Sequence, residues 1–309
     1  MGMNQIHFIH EKHERLTYRT SWFQLVRPMT FTGTVSPVLA GTALAYLKGP
    51  VRLDLFFAII IAGLFVQFSM NMLNDYLDYQ KGQDHEKWVR PGDPLFGKGP
   101  NYHTIPYVAT VLILITIGIS IWIASQSTYW ILAVGGFGFL IGLSYSAGPR
   151  PLCSIALGEI DAAICMGIVP GVLSYIIQGH RLDIEIIAVI VPFMFLIFSM
   201  ILSNNIRDLE KDKGIRKTLP MFIGRVRASQ LLTILLSLAY LWVITLVSID
   251  VLPLFTVAVI LALPLAYRLN MSYKPGANRS DEVKGMNRAA LHHMGFGFIL
   301  AASLWLSSF

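Results

Sequence analysis

Asn71, Asn74, Asp75 and Asp78 stand at the polar end of an otherwise apolar run, in QFSMNMLNDYLDYQKGQD. On a helix, Asn71, Asn74 and Asp78 share one face at i, i+3 and i+7, and Asp75 lies one turn beyond Asn71. The constellation recurs in SNNIRDLEKD, where Asn204, Asp208 and Asp212 fall at i, i+4 and i+8 near the end of another apolar run. Asn74-to-Asp78 and Asn204-to-Asp208 repeat one Asn-x-x-x-Asp spacing. An ionised Asp near a bilayer core costs about 2.5–3.5 kcal/mol on insertion scales, so such groups need partners and mark function. A solvated helix end would account for one such cluster but gives no reason for two. Two carboxylate faces, with amides beside them and a basic loop adjoining, suit a polyphosphate held through Mg²⁺. That ion takes hard oxygens, keeps some water and is shared between carboxylates and substrate phosphates. Two Mg²⁺ ions with Lys or Arg would neutralise a diphosphate leaving group, and an apolar bundle would house a long lipid tail.

The elements that carry these faces are membrane helices. The 309 residues are 54% hydrophobic and only 14% charged, where a soluble protein carries about 25% charged residues. Apolar runs of this kind predict nine spans: 22–47, 53–79, 102–125, 128–147, 154–178, 183–206, 227–249, 251–271 and 289–308. The expected fold class is therefore all-α, a polytopic membrane protein in one transmembrane domain, 22–309. It follows a polar cytoplasmic segment, 1–21, that reads as no cleavable signal peptide. Helices 1–4 carry the first acidic motif on helix 2 and helices 5–8 the second on helix 6. The bundle thus reads as two four-helix pseudo-repeats plus one helix, with a site shared between them.

The net charge of +6 and pI of about 9.3 follow topology and not nucleic acid. With a cytoplasmic N-terminus, each of the 24 Lys and Arg residues except Lys48, Arg52 and Arg181 falls on the cytoplasmic side, Lys12 included. This positive-inside distribution puts both acidic motifs on the cytoplasmic face of a cell membrane, surrounded by membrane lipids. Cys153 and Cys165 are the only cysteines, placed so that a structural disulfide is not expected. GGFGFLIG around Gly135 lacks the strand–turn–helix context of a dinucleotide site. Gly63, Gly135, Gly136, Gly138 and Gly171 read instead as small residues for close helix packing. Nothing sets the oligomeric state.

Asn74-Asp75-Tyr76-Leu77-Asp78 and Asp208-Leu209-Glu210-Lys211-Asp212 resemble the NDxxD and DxxxD motifs of the UbiA superfamily of intramembrane aromatic prenyltransferases. Within it the chain is most similar to the 1,4-dihydroxy-2-naphthoate polyprenyltransferases of menaquinone synthesis (MenA-type). The features shared with that branch are the KGxD-like ending at Asp84, NNIRDLEKD, YSAGPRP with LGEI, and VRPMT (26–30) at the entry into helix 1. The resemblance covers roughly helices 1 to 7. It implies a polyprenyl diphosphate donor, an aromatic acceptor, decarboxylation of a naphthoate, and two Mg²⁺ ions. Asn74 with Asp78 would hold one ion and Asp208 with Asp212 the other. Asp75 and Asp84 would serve as direct or supporting ligands. Lys81, Arg207 and Lys217 would contact phosphate oxygens, with Arg27 and Arg150 near the same mouth. Tyr145 would orient the diphosphate or face the allylic cation, an interaction worth roughly 0.5–2 kcal/mol.

The chain departs from that branch at Phe96 and Phe222, where the family carries arginines, and the Lys217-to-Thr218 gap is one residue shorter. Other conspicuous residues read as structural. His292 and His293 would open helix 9 at the cytoplasmic interface. Glu159 and Asp161 would sit at the start of helix 5, favoured by its dipole. Glu159 falls within the family-like LGE, which leaves a site role open to it, and Asp161 would be a cap or packing partner. An ion-coupled transporter would also carry intramembrane carboxylates and a repeated bundle. Against it, the acids cluster at one membrane face beside a basic loop, with no pair of short broken helices. A purely structural membrane protein is a third reading, and it leaves the two Asp pairs unexplained.

Overall fold

The computed structural model describes residues 15–307. Lys12, the rest of residues 1–14 and the last residue of the expected span 289–308 lie outside the described residues. The long helices are α1 (Thr32–Lys48), α2 (Leu53–Gln80), α3 (Tyr102–Gln126), α4 (Trp130–Ser144) and α5 (Gly158–Ile176). They are followed by α6 (Ile184–Arg207), α7 (Arg225–Ser248), α8 (Leu254–Met271) and α9 (Arg279–Leu306). Among the described residues seven of these, α2, α3 and α5 to α9, are long and apolar enough to cross a membrane. Of the remaining two, α4 is a shorter apolar helix and α1 has 17 residues.

Two boundaries differ from the hydropathy reading by ten residues, each for a local reason. The first apolar run does not form one continuous helix from residue 22, and α1 begins only at Thr32. Arg27 precedes Pro28 and adopts a left-handed conformation (φ 56°), which splits off a short helix, Trp22–Leu25, from α1. The residue before a proline is sterically disfavoured in the α region. Conversely, α9 starts ten residues before the expected 289. Asn278 accepts a hydrogen bond from the Asp281 N–H (2.8 Å), and Asp281 and Glu282 occupy the positive first turn. Hydropathy marks only the lipid-facing part of that helix. His292 and His293 consequently lie well inside α9 and fully buried, not at its opening, with His292 Nε2 2.7 Å from the Tyr240 hydroxyl.

The expected all-α chain also contains one small ribbon. Thr17–Tyr18 pairs antiparallel with Trp88–Val89. It closes a satellite core of Leu16, Tyr18, Leu25, Met72, Trp88 and Tyr102 against α2 and α3. The described end of the N-terminal segment is thus fastened over the bundle end that bears both acidic motifs.

Helix α1 occupies the middle of the main core. A Cβ on Gly41 would stand 2.2 Å from the Gly171 carbonyl oxygen, and one on Gly167 would stand 2.8 Å from Met194 Cα, so α5 meets both α1 and α6 backbone to backbone. Without a hydrophobic driving force between helices in lipid, such small-residue contacts supply the packing. The packing role expected of Gly63 and Gly171 agrees with these crossings, since a Cβ on Gly63 would meet Thr34 at 2.6 Å. It does not hold at Gly135 and Gly136, where an added Cβ would meet nothing within 4 Å. Helix α4 is loosely held, while Phe57, Leu114, Phe137, Leu241 and Phe298 form part of an exposed apolar belt suited to lipid. At the far end of the bundle, Lys48 pairs with Asp183 (3.0 Å) and Glu185 (2.7 Å), tying α1 to α6.

Candidate active site

Helices α2 and α6 run in the same sense, so their polar C-terminal ends converge at one end of the bundle. Asp75 is the most deeply placed of the acids, its side chain wholly inaccessible. It accepts from the Tyr18 hydroxyl (2.8 Å), the Arg27 guanidinium (2.5 Å) and the Lys87 ammonium (2.7 Å). Three segments distant in sequence therefore close on one carboxylate. The left-handed backbone at Arg27 aims its guanidinium there, and the same group donates to Asn74 Oδ1 (3.0 Å). Asp84 shares this unusual conformation (φ 53°). Non-glycine residues held there store strain that gathers at functional sites.

Cations from the α6–α7 connection bridge the two motifs. Arg216 donates to Asp78 Oδ2 (3.0 Å) and Gln83 Oε1 (2.8 Å), and its Nε lies 3.9 Å from Asp212 Oδ1. Lys211 reaches back to Asp84 (2.5 Å) and Glu86 (2.6 Å). Arg207 grips Asp208 through two nitrogens (2.8 and 2.5 Å) and also bonds Asn204 Oδ1 (2.6 Å). Burial alone would lift the Asp84 carboxyl, but Lys87 and Lys211 outweigh it and hold the group well below the usual carboxylate range. Burial raises Asp212 above its ordinary value, with Arg216 opposing and Asp208 adding to the rise.

Both acidic faces open onto one cavity of about 1510 Å³. Its mouth carries Asn74, Asp78, Asp84, Asp208 and Asp212 with Arg27, Lys87, Arg207, Lys211, Arg216 and Arg279. Below them the wall turns apolar, through Val66, Ile113 and Ile201 to Ile59, Ile123 and Ile177 toward the far end of the bundle. Between α3 and α4, Ile117, Ile121 and Leu140 line the cavity while standing half exposed. The space is a charged head joined to a long greasy slot.

A comparison with protein families matches residues 34–291 to the UbiA prenyltransferase family. The chain belongs to this family. It is 33% identical over 288 residues to the 1,4-dihydroxy-2-naphthoate octaprenyltransferase of Bacillus subtilis (strain 168), covering 93% of each chain. Among solved structures, a UbiA homolog from Aeropyrum pernix K1 superposes with a TM-score of 0.66 at 13% identity, over 92% of this chain and 99% of that one. A UbiA homolog from Archaeoglobus fulgidus, bound to DMAPP and Mg²⁺, gives a TM-score of 0.61 at 17% identity, over 92% and 99%. These likenesses establish the fold. The chain is a multi-pass membrane prenyltransferase of the UbiA family.

Within this UbiA bundle the structure gathers most of the residues singled out by spacing and resemblance. Asn74, Asp78, Asp84, Asp208, Asp212, Arg27, Arg207 and Tyr145 all line the cavity. Four do not. Asp75 faces inward to its three partners and does not touch the cavity, because the helix turn that presents Asp78 points Asp75 toward the ribbon. Lys81 caps α2 and donates to the Ser146 carbonyl (2.5 Å). Lys217 is exposed, its backbone N–H tied to the Ser154 carbonyl (3.2 Å), so the neighbouring Arg216 turns inward instead. Arg150 is exposed within the α4–α5 connection. Phe96 and Phe222 also lie off the cavity.

Lys87, Lys211, Arg216, Arg279 and Tyr18 are additions that periodicity could not find. Tyr18 sits in the ribbon, Lys87, Lys211 and Arg216 in connections and Arg279 at the first residue of α9, where side-chain direction follows long-range pairing. Clusters of opposite charge between Asp84 and Lys87 and between Asp212 and Arg216 were the available signal. The two cysteines are free, as their placement suggested.

Proposed function

We propose that this protein transfers a polyprenyl group from a polyprenyl diphosphate to 1,4-dihydroxy-2-naphthoate, with loss of CO₂, in a Mg²⁺-dependent reaction. The observation that carries the reading is the single cavity in which two acidic faces and a ring of cations cap an apolar slot. The slot suits a prenyl chain and the cationic mouth suits its diphosphate. The acceptor rests on the kinship with the Bacillus subtilis octaprenyltransferase, and the metal on the Mg²⁺ bound with DMAPP in the Archaeoglobus fulgidus homolog.

The donor set fits magnesium. Asn74, Asp78, Asp84, Asp208 and Asp212 offer hard oxygens to one space. Among the described residues no three His, Cys, Asp or Glu side chains converge closely enough to hold a cation alone. Diphosphate oxygens would complete the set, with Asn74 and Asp78 toward one ion and Asp208 and Asp212 toward the other. When bound, Mg²⁺ supplies neutralisation of the departing diphosphate. Arg27, Lys87, Arg207, Lys211 and Arg216 bind the phosphate oxygens and hold the donor's first carbon beneath the mouth. There the Tyr145 ring shields the allylic carbon and the apolar wall keeps water from intercepting it. The aromatic ring is then held in contact with that carbon, the positional advantage of a bound pair.

Purified protein in lipid nanodiscs, given octaprenyl diphosphate, Mg²⁺ and the naphthoate, is expected to yield prenylated naphthoquinol and CO₂, and EDTA to abolish it. Product from 4-hydroxybenzoate or homogentisate with none from the naphthoate would refute the acceptor, and full activity in EDTA would refute the metal.

The nine helices read as nine spans with a cytoplasmic N-terminus, which opens the mouth to the cytoplasm. A cysteine replacing Ser280 should then react with a membrane-impermeant maleimide from the cytoplasmic side, and one replacing Ser127 from the other. The opposite labelling pattern would invert this topology.

A further inference from the structure

Asp161 is unlike every other carboxylate of the cavity. Asp78 and Asp212 face Arg216, Asp84 faces Lys87 and Lys211, and Asp208 faces Arg207. Asp161 lines the same space, yet has no cation within 4 Å among the described residues. It does not cap α5 either, as expected from its position, since no side-chain bond closes that helix start. Its one hydrogen bond is weak, from the Cys165 thiol at 3.7 Å. The residue is 5% exposed, and that remainder opens on the cavity.

Its depth is fixed by its neighbours. A Cβ on Gly158 would stand 3.2 Å from the Tyr145 ring, and Asp161 follows one helical turn further into the bundle. Immediately after it, Ala163–Ile168 forms a π-type turn, which carries Cys165 against Asp161 and against the Gly138 carbonyl of α4 (3.6 Å). Such turns insert an extra residue at a cost in helix geometry and recur at functional sites. The carboxylate therefore sits just below the cationic mouth, beside the level where the donor's first carbon would lie.

A carboxylate without a cation in an apolar wall repels diphosphate and favours a ligand that donates a hydrogen bond. We propose that Asp161 is the catalytic group that receives the hydroxyl of the aromatic acceptor. It holds the O–H beside the carbon to be alkylated and takes its proton during attack. This rests on the reading that the acceptor is a hydroxy-aromatic acid. An anionic acceptor is oriented by it, its carboxylate turned toward the cations and its hydroxyl toward Asp161.

In the step itself the ring carbon next to the hydroxyl bonds to the allylic carbon. The bond from that carbon to the diphosphate oxygen breaks, and its electron pair leaves with diphosphate. The hydroxyl proton passes to Asp161 and the ring oxygen becomes a carbonyl. Aromaticity returns when CO₂ departs, leaving its electron pair in the ring. The hydrogen of the alkylated carbon ends on the carbon that CO₂ vacates, and Asp161 returns its proton to the ring oxygen.

The test compares Asp161→Asn with the wild-type protein in nanodiscs. Asparagine keeps the shape but cannot take the proton. The acceptor's kcat/KM should fall about 10²–10⁴-fold, the usual worth of a general base, while prenyl diphosphate binding without acceptor and the melting temperature stay unchanged. With an acceptor O-methylated at that hydroxyl, wild type should lose a similar factor and Asp161→Asn little more. Unchanged kcat/KM, additive losses, or an equal loss in donor binding would each overturn the assignment. Should Asp161→Asn not accumulate, Asp161→Ser serves the same comparison. If the wild type uses 4-hydroxybenzoate and not the naphthoate, the acceptor identity falls and Asp161 is tested on that acid. If it prenylates no aromatic at all, both fall.

Discussion

Replacing Asp78 or Asp208 by alanine is expected to lower prenyl transfer by on the order of 10³-fold or more, with folded protein still in the membrane. Stabilising charge that develops on a transferring or leaving phosphate is worth about 10³–10⁵ in rate where a single group has been removed. Each of these carboxylates serves one half of the mouth. Neither holds the bundle together, because each also has cations that can turn to water or to a neighbouring acid. Asp78 meets Arg216, which also reaches Gln83 and Asp212, and Asp208 meets Arg207, which also bonds Asn204. Steady-state kinetics with thermal unfolding in detergent checks both halves of the statement. A variant within tenfold of wild type would remove that aspartate from the metal set.

Asp75 has the opposite profile. Asp75→Leu is expected to destabilise the folded protein by about 3–5 kcal/mol, the cost of stripping one partner from a buried charge network. The value should fall toward the lower end, because Arg27 and Lys87 keep 37% and 27% of their side chains accessible. The loss also unmoors the Tyr18 hydroxyl and with it the ribbon between Thr17–Tyr18 and Trp88–Val89. Arg27 no longer aimed at the mouth should raise the KM for prenyl diphosphate as well. Lys87→Met should cost less, since Arg27 still neutralises the acid. An Asp75→Leu protein that melts with the wild type would show that the three bonds balance only their own desolvation.

The sequence made the membrane helices and the repeated Asn-x-x-x-Asp faces visible because both are written in local periodicity. A helix fixes where residues three, four and seven apart must point, so spacing alone puts Asn74 and Asp78 on one face. The same rule failed one residue away. Asp75 stands one residue, about 100°, round the helix from Asn74, and what it faces depends on a ribbon formed by two segments far apart in the chain, Thr17–Tyr18 and Trp88–Val89. Arg216 and Lys217 are adjacent cations in an irregular connection, and only the backbone pairing of Lys217 with Ser154 decides which one turns inward. Hydropathy misjudged the start of α9 because residues 279–288 face protein and water, not lipid. Glycine content misjudged α4, since small residues serve a crossing only when another helix arrives, and none comes close to Gly135 or Gly136.

That open flank of α4 has a bearing on supply. Ile117, Ile121 and Leu140 line the inner slot and stay half exposed, as they would if the slot opened sideways toward the acyl region of the surrounding leaflet. A donor that arrives by that route is counted per unit area of membrane, not per volume of cell. Its product, equally insoluble in water, is returned to the same two-dimensional pool. Turnover should accordingly follow the mole fraction of prenyl diphosphate in the lipid, and stay constant when vesicles of fixed composition are diluted in buffer.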